Sequence, residues 1–395
     1  MAGPCIFVSA GDVSGDLHGA NLVRALGRLA PGAEVVGFGG PRMAEAGATL
    51  LAQTSWFGII GIGPLAGSFW RYAALLSRAD RFLARRRPDV AVAIDCPGFH
   101  FLLGSRLRAR RIPALWYIPP QLWAWAPGRV RKLRRRFMRV ACVLPHEEAF
   151  YRGAGVPAAF VGHPVIEHLR GLALDEGFVR GLRSAPGERL VALMPGSRRP
   201  EVSEILVREL AIARTIAAHH RDVRFVVPLA DPKHRPWAEA ALAAAQVPVR
   251  VVVGRTHEVE RAADLAITAS GTATLELAYY GTPMVVLYNV TWARWNLLGR
   301  WLVRTPHLAL PNALAGREIV PEFMRNRPAD TAKAARAALD LLDDAAARGR
   351  MAEELRRVRE AIAKTGSSEN AAREALALVG TPVPAATPWR PGFAM

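Results

Sequence analysis

Two short segments of this 395-residue chain carry residue types suited to holding phosphate. The first is Ala269-Ser270-Gly271-Thr272-Ala273-Thr274-Leu275-Glu276. An apolar run ends near Thr268 and helical patterning begins near Thr272, so Ser270, Gly271 and Thr272 are expected at a helix N-terminus. Exposed backbone N–H groups and small side chains make such a terminus an anion site. Glu276 lies about one turn further on, where a carboxylate can accept hydrogen bonds from ribose hydroxyls. An ordinary capped helix with a dipole-compatible glutamate has the same spelling. The second segment is Pro195-Gly196-Ser197-Arg198, at the expected end of a strand. Arg198 there can grip a diphosphate oxygen bidentately, although a turn with a surface arginine reads the same way.

Other chemistries find no support in the spelling. There is no Walker A segment and no Gly-x-Ser-x-Gly elbow. Gly11-Asp12-Val13-Ser14-Gly15 is not a dinucleotide fingerprint, and His146-Glu147-Glu148 lacks the second histidine of a zincin helix. Cys5, Cys96 and Cys142 are far apart, which argues against a disulfide framework or structural zinc and for a reducing compartment. Isolated histidines such as His168 and His307 read as surface or core residues. No metal cage and no cofactor is expected.

The elements that must position these residues are short apolar strands alternating with helices. Cys5–Ser9, Glu34–Phe38, Val90–Ile94, Ala114–Ile118 and Val140–Leu144 each end in polar, glycine or proline residues. The pattern restarts near residue 165 with Leu190–Met194, Arg224–Pro228, Val249–Val253, Leu265–Thr268 and Pro283–Tyr288. Strands buried on both faces belong to parallel sheets. The predicted class is α/β, with two Rossmann-like doubly wound domains over residues 1–165 and 166–354. Residues 329–378 read as helices, and a helix at about 355–378 is expected to pack back on the first domain. The Pro- and Gly-containing tail, 379–395, is expected to be disordered.

Length and a 51% hydrophobic content suit two such cores. The charged fraction is 22% and the formal net charge +18. Only four of the 52 basic residues are lysine, so codon bias inflates the arginine count. The excess is nevertheless uneven, with +12 of the +18 before residue 166. No acidic residue separates Asp95 from Glu147, whereas eleven basic residues lie from Arg106 to Arg139, Arg129 among them. Trp116, Trp123 and Trp125 are interleaved. Aromatic plus basic composition suits single-stranded nucleic acid, but no nucleic-acid signature accompanies it. Anionic lipid headgroups explain the same residues, as does the solvated face of two helices. The stretch from Trp56 to Leu76 holds Trp56, Phe57, Phe69 and Trp70 with Arg71 as its sole charge. It reads either as core or as an apolar surface entering one leaflet. The first basic residue is Arg24 and no apolar run reaches the ~20 residues of a bilayer span. A cytoplasmic protein in peripheral contact with the inner membrane is expected.

Further motifs recur in order. They are Ala10-Gly11-Asp12-Val13-Ser14-Gly15-Asp16-Leu17-His18, Gly37-Phe38-Gly39-Gly40-Pro41, Asp95-Cys96-Pro97-Gly98-Phe99, Pro119-Pro120-Gln121-Leu122-Trp123-Ala124-Trp125 and Val161-Gly162-His163-Pro164. After the two phosphate segments come Pro283-Met284-Val285-Val286, Leu310-Pro311-Asn312 and Pro321-Glu322. Any one is weak, but the ordered set over about residues 5–375 strongly resembles the lipid-A-disaccharide synthase family. The resemblance implies a GT-B glycosyltransferase of lipopolysaccharide biosynthesis, with two Rossmann-like domains facing across a cleft. It implies UDP-2,3-diacylglucosamine as donor, 2,3-diacylglucosamine 1-phosphate as acceptor, and an inverting, metal-independent transfer. The second domain would hold UDP, with Arg198 on the diphosphate, Ser270, Gly271 and Thr272 capping it, Glu276 on ribose and Asn312 beside the nucleotide. The first would face acceptor and membrane through Trp56, Phe57, Phe69, Trp70, Trp123, Trp125 and Arg129.

The chain departs from the family pattern in places. Asp12 stands where a glutamate is usual, Ala126 where an arginine follows Trp-Ala-Trp, and Gly98 and His100 where an aspartate and an asparagine are usual. That aspartate is a leading candidate base in the family. An inverting transfer needs a base within hydrogen-bond reach of the attacking hydroxyl, which leaves Asp12, Asp16, Asp95 and His100 as candidates here. The departures also admit a diverged enzyme with another UDP-sugar and lipid, or a UDP-sugar-binding protein without catalysis.

Overall fold

The computed structural model describes residues 3–54, 65–196, 199–290 and 305–380. Strands β1 (Cys5–Ala10), β2 (Glu34–Gly39), β3 (Thr49–Gln53), β4 (Val90–Ile94), β5 (Ala114–Tyr117), β6 (Arg139–Cys142) and β7 (Ala158–Phe160) form one sheet. Its order is β3-β2-β1-β4-β5-β6-β7, and every pairing is parallel. A second sheet contains β8 (Arg189–Met194), β9 (Val223–Leu229), β10 (Val249–Val253), β11 (Leu265–Ala269), β12 (Met284–Val290) and β13 (Glu322–Arg325). Its order is β10-β9-β8-β11-β12-β13, again wholly parallel.

Helices on both faces explain the apolar runs. Every residue of β1, β4, β5 and β11 is buried, so these strands have no solvent face to mark with polar residues. The edges differ. β3 and β13 are only partly buried along their length, and β7 has three residues. These three strands escape a search for continuous apolar runs because they are short or interrupted by polar residues, whereas β10, also an edge strand, keeps a valine run broken only by Arg250. The first helix begins at Val13, with Asp12 as its N-cap accepting from Gly15 N at 2.6 Å. Its opening turn contains Ser14, Gly15 and Asp16, which mask helical periodicity.

The chain divides into two compact units. One is Met1–Pro164 joined by the chain from Lys364 onward, and the other is Val165–Ala363. Helix Ala345–Ala361 stays with the second unit, where it packs on helix Ala273–Tyr280. Helix Ser367–Leu376 belongs to the first, where it packs on helix Val13–Leu29 and on β4 and β5. Ser367 Oγ donates to Gly162 O at 2.7 Å and lies 2.9 Å from Tyr117 Oη. Asn370 Nδ2 donates to Val161 O, and Arg139 pairs with Glu374 at 2.7 Å. Residues 381–395, the bulk of the expected tail, lie outside the described residues.

The tightest backbone approach in the first sheet is at Gly37, which faces Val8 of β1. A Cβ there would stand 1.8 Å from Val8 O. Gly37→Ala is therefore expected to cost about 3 kcal/mol through forced separation of β1 and β2. Urea unfolding checks this, with a lowered midpoint as the expected result.

Candidate functional site

In a doubly wound sheet, ligands bind outside the carboxyl ends of the strands where the strand order reverses. The first sheet reverses between β1 and β4, and the second between β8 and β11. Each reversal lies in one unit and carries residues singled out from the sequence.

In the first unit, β1 and β4 pair Ala10 with Ile94. Asp12 and Asp95 follow these residues, so the structure brings the two carboxylates to the same crevice. The Cys96 thiol beside them is pushed up to about 12, chiefly by burial, then by Asp95 and, more weakly, by Asp12. Asp95 and Cys96 are consecutive left-handed residues, with φ of 51° and 45°. Ile118, after β5, has φ 56°, a costly conformation for a β-branched side chain. Strain of this kind concentrates where a fold holds functional groups. At Gly98 a Cβ would stand 3.3 Å from the Tyr72 hydroxyl, so an aromatic side chain borders the position of the family's usual aspartate.

Asp16 and His100 are not placed for proton transfer to a ligand. Asp16 is 3% exposed and accepts from Gly40 N, Arg42 N and Met43 N at 2.7, 3.1 and 3.0 Å. It caps helix Pro41–Glu45 through all three. His100 is fully buried, its Nε2 2.8 Å from Ser9 Oγ and its Nδ1 2.6 Å from Asp95 O. Both ring nitrogens are spent inside the fold, and burial pushes the ring down to about 4. The fold also brings together His18 and His163, to which the sequence assigns no role. Burial and the charge of His18 push His163 down to about 3. His18 and His163 are far apart in the chain, and only the fold brings them together.

In the second unit, β11 ends at Ala269, Ser270 and Gly271 follow, and helix Ala273–Tyr280 begins. Thr272, its N-cap, makes no side-chain capping bond, and Gly271 and Thr272 are exposed. Gly271 has φ 148°, outside the ordinary range of residues with a Cβ. The terminus therefore presents open backbone donors at the reversal point. β8 ends there too, followed by Pro195 and Gly196. Ser197 and Arg198 lie outside the described residues. Glu276 is half-buried on the same helix, its carboxyl pushed up to about 8 by burial and by neighbouring Glu260.

Asn312 is fully buried, and its amide is committed to the protein. Its Oδ1 accepts from Ile319 N and Val320 N at 2.7 and 2.9 Å, and its Nδ2 donates to Val320 O and Glu322 Oε1. It shapes a loop rather than offering a side chain to a ligand. Glu322, left without a role in the sequence reading, is the hub of this loop. It accepts from Tyr288 Oη, Leu308 N and Ala309 N at 3.0, 3.2 and 2.9 Å, and lies 3.2 Å from His307 Nδ1. Tyr288 also hydrogen-bonds Ser270, so the network reaches the turn before helix Ala273–Tyr280.

The aromatic and basic residues divide. Trp70 is 72% exposed on helix Leu65–Arg85, whose Leu75, Ala79 and Leu83 are buried. Trp125 is 37% exposed, with the Arg129 guanidinium 5.5 Å from its ring centroid. Arg129, Arg131, Lys132, Arg134 and Arg135 are exposed around buried Leu133. Trp123 is tied inward instead, its Nε1 donating to buried Glu147 at 3.2 Å and its ring edge-on to His146. Trp116 is fully buried core. Trp56, Phe57 and the Phe69 side chain lie outside the described residues. Among the described residues, no helix is long and apolar enough to cross a membrane.

Comparison with known proteins decides the family. Residues 6–378 match the family model described as lipid-A-disaccharide synthetase. The chain belongs to the lipid-A-disaccharide synthase family. It is 39% identical over 379 residues to the lipid-A-disaccharide synthase of Anaeromyxobacter dehalogenans, covering 95% of this chain and 97% of that one. The Syntrophus aciditrophicus synthase is 35% identical over 380 residues, covering 96% and 99%. Among solved structures, the calicheamicin glycosyltransferase CalG4 is similar with a TM-score of 0.62 at 18% identity, over 96% of this chain and 99% of that one. A UDP-GlcNAc 2-epimerase from Neisseria meningitidis gives 0.61 at 12%, over 94% and 98%. These likenesses show the GT-B type of fold. With the family, they make this synthase relative a glycosyltransferase.

The burial of His100 has a thermodynamic consequence. Its folded-state value of about 4 lies below the ordinary 6.5, so between these values the unfolded chain binds more protons. The stability it contributes is present above pH 6.5 and is lost as pH falls toward 4. Relative to His100→Asn, the wild type is expected to lose about 3 kcal/mol of its advantage between pH 7 and pH 4. Denaturant unfolding at both pH values measures it.

Proposed function

We infer that this chain joins UDP-2,3-diacylglucosamine to 2,3-diacylglucosamine 1-phosphate, giving the β(1→6) lipid A disaccharide and UDP. The family match across residues 6–378 carries this reading. The acceptor 6-hydroxyl attacks the anomeric carbon, the bond from that carbon to the diphosphate oxygen breaks, and its electron pair leaves with UDP. The hydroxyl proton goes to a carboxylate at the β1/β4 reversal. Asp12 and Asp95 are the two candidates that remain there, since both oxygens of Asp16 and both ring nitrogens of His100 are engaged internally, whereas the capping bond from Gly15 N uses Oδ1 of Asp12 and not Oδ2.

The second unit takes the nucleotide. The open N-terminus of helix Ala273–Tyr280 and Arg198 meet the diphosphate, and Glu276 accepts from the ribose. Oriented donors stabilise the leaving charge without reorganising as it develops. Asn312 and Glu322 act behind them by holding the loop that follows residue 304. The first unit takes the acylated acceptor at an anionic membrane surface. Exposed Trp70 and Trp125 and the five cations around Leu133 support this peripheral contact.

Release of UDP from the diacylated donor tests the reaction. Release that depends on the acylated glucosamine phosphate is expected, and release indifferent to it would refute the reading. Within that assay, Asp12→Asn or Asp95→Asn is expected to lower kcat about 100-fold or more with little change in UDP affinity. Full activity in both variants removes them as the base. Membrane contact has its own measurement, sedimentation with vesicles. Binding is expected to rise with anionic lipid and to weaken between 0.1 and 0.5 M salt, on the order of the screening of surface charge.

A further inference from the structure

Helix Thr256–Ala262 lies against helix Ala273–Tyr280 in the second unit. It places Glu260, which is fully buried, beside Glu276. Ligand atoms of His257, Glu260 and Glu276 all lie within 4.8 Å of one another. Glu260 Oε2 is 2.8 Å from His257 Nδ1, whereas its Oε1 has no protein donor among the described residues. A buried anionic oxygen without a donor is costly, and two buried carboxylates side by side repel. One proton held between them removes both penalties.

We propose that Glu260 is a positioning residue, sharing a proton with Glu276 and so fixing the carboxylate that receives the nucleotide ribose. This rests on the ribose role proposed for Glu276. The surroundings favour a proton over full ionisation. Burial holds both carboxyls above the ordinary carboxylate range, and the charge of Glu260 raises that of Glu276 further. Tyr280, on the Glu276 helix, is pushed upward by burial and then by Glu260. On the helix of Glu260 itself, Arg261 is engaged with Glu176 and Glu258 with Arg255. Arg189 of β8 and Arg224 of β9 are paired with Asp222 and Glu188. His257, with the His168 ring 5.7 Å from its own, is the histidine bonded to the pair. The backbone at Glu260 is also anchored, its carbonyl accepting from Thr282 Oγ1 at 2.6 Å.

The test compares UDP with 2′-deoxy-UDP by calorimetry on the full chain from pH 7 to pH 9. The ratio of their dissociation constants reports the ribose contact and cancels titration of the ligand. In the wild type a ratio of about tenfold is expected at pH 7. It should fall toward one by pH 9, as the shared proton is lost and the two carboxylates separate. Glu260→Gln retains a donor toward Glu276, so its ratio should stay near tenfold throughout. Glu260→Leu should lose the ratio already at pH 7, with kcat at saturating donor changed less than about threefold. The proposal is overturned if Glu260→Leu keeps the wild-type ratio, or if the wild-type ratio ignores pH. It is also overturned if chelation abolishes the ratio and added divalent zinc restores it, since the three side chains would then hold a metal. Equal binding of the two nucleotides by wild type and Glu276→Gln would instead defeat the ribose role itself.

Discussion

The rest of the structure depends on where each parallel sheet changes direction. Crossovers from β1 run first to one side and later to the other, and those from β8 do likewise. Where the order reverses, successive connections part and leave a gap above the strand ends. Backbone donors, a glycine turn and carboxylates stand at those gaps. Asp12 and Asp95 occupy one such gap, and Ser270 to Thr272 occupy the other.

Around both gaps, buried polar side chains are used mainly to hold backbone. Asp16 ties a short helix to the end of β2, His100 joins β1 to β4, Asn312 rigidifies a loop, and Glu322 gathers five donors. A polar group withdrawn from water is tolerated when its bonds are made inside the fold. That explains why residues with catalytic chemistry can be scaffold here. Only geometry separates the two uses, because the types are the same.

The α/β class and both parallel sheets were legible because fully covered strands must be continuously apolar. The turn from β11 into helix Ala273–Tyr280 was legible because strand end, glycine and helix start are consecutive in the chain. Edge strands β3, β7 and β13 were not, since they are short or interrupted by polar residues and lack the valine run that marks edge strand β10. Nor were the roles of Asp16, His100 and Trp123, whose partners are distant in sequence or are backbone atoms. Glu260 and Glu276 are sixteen positions apart, and nothing in either segment announces that they share a site.

Helix Ser367–Leu376 gives the fold an order of assembly in time. It covers helix Val13–Leu29 and the strands β4 and β5, yet a ribosome makes it only after all of Val165–Ala363. Throughout that interval the earlier-made unit lacks a wall, and its apolar underside is exposed to whatever else the cell contains. Domains ordinarily fold as they emerge. Here the first to emerge is among the last to be finished, because the helix that covers it is the last to be made.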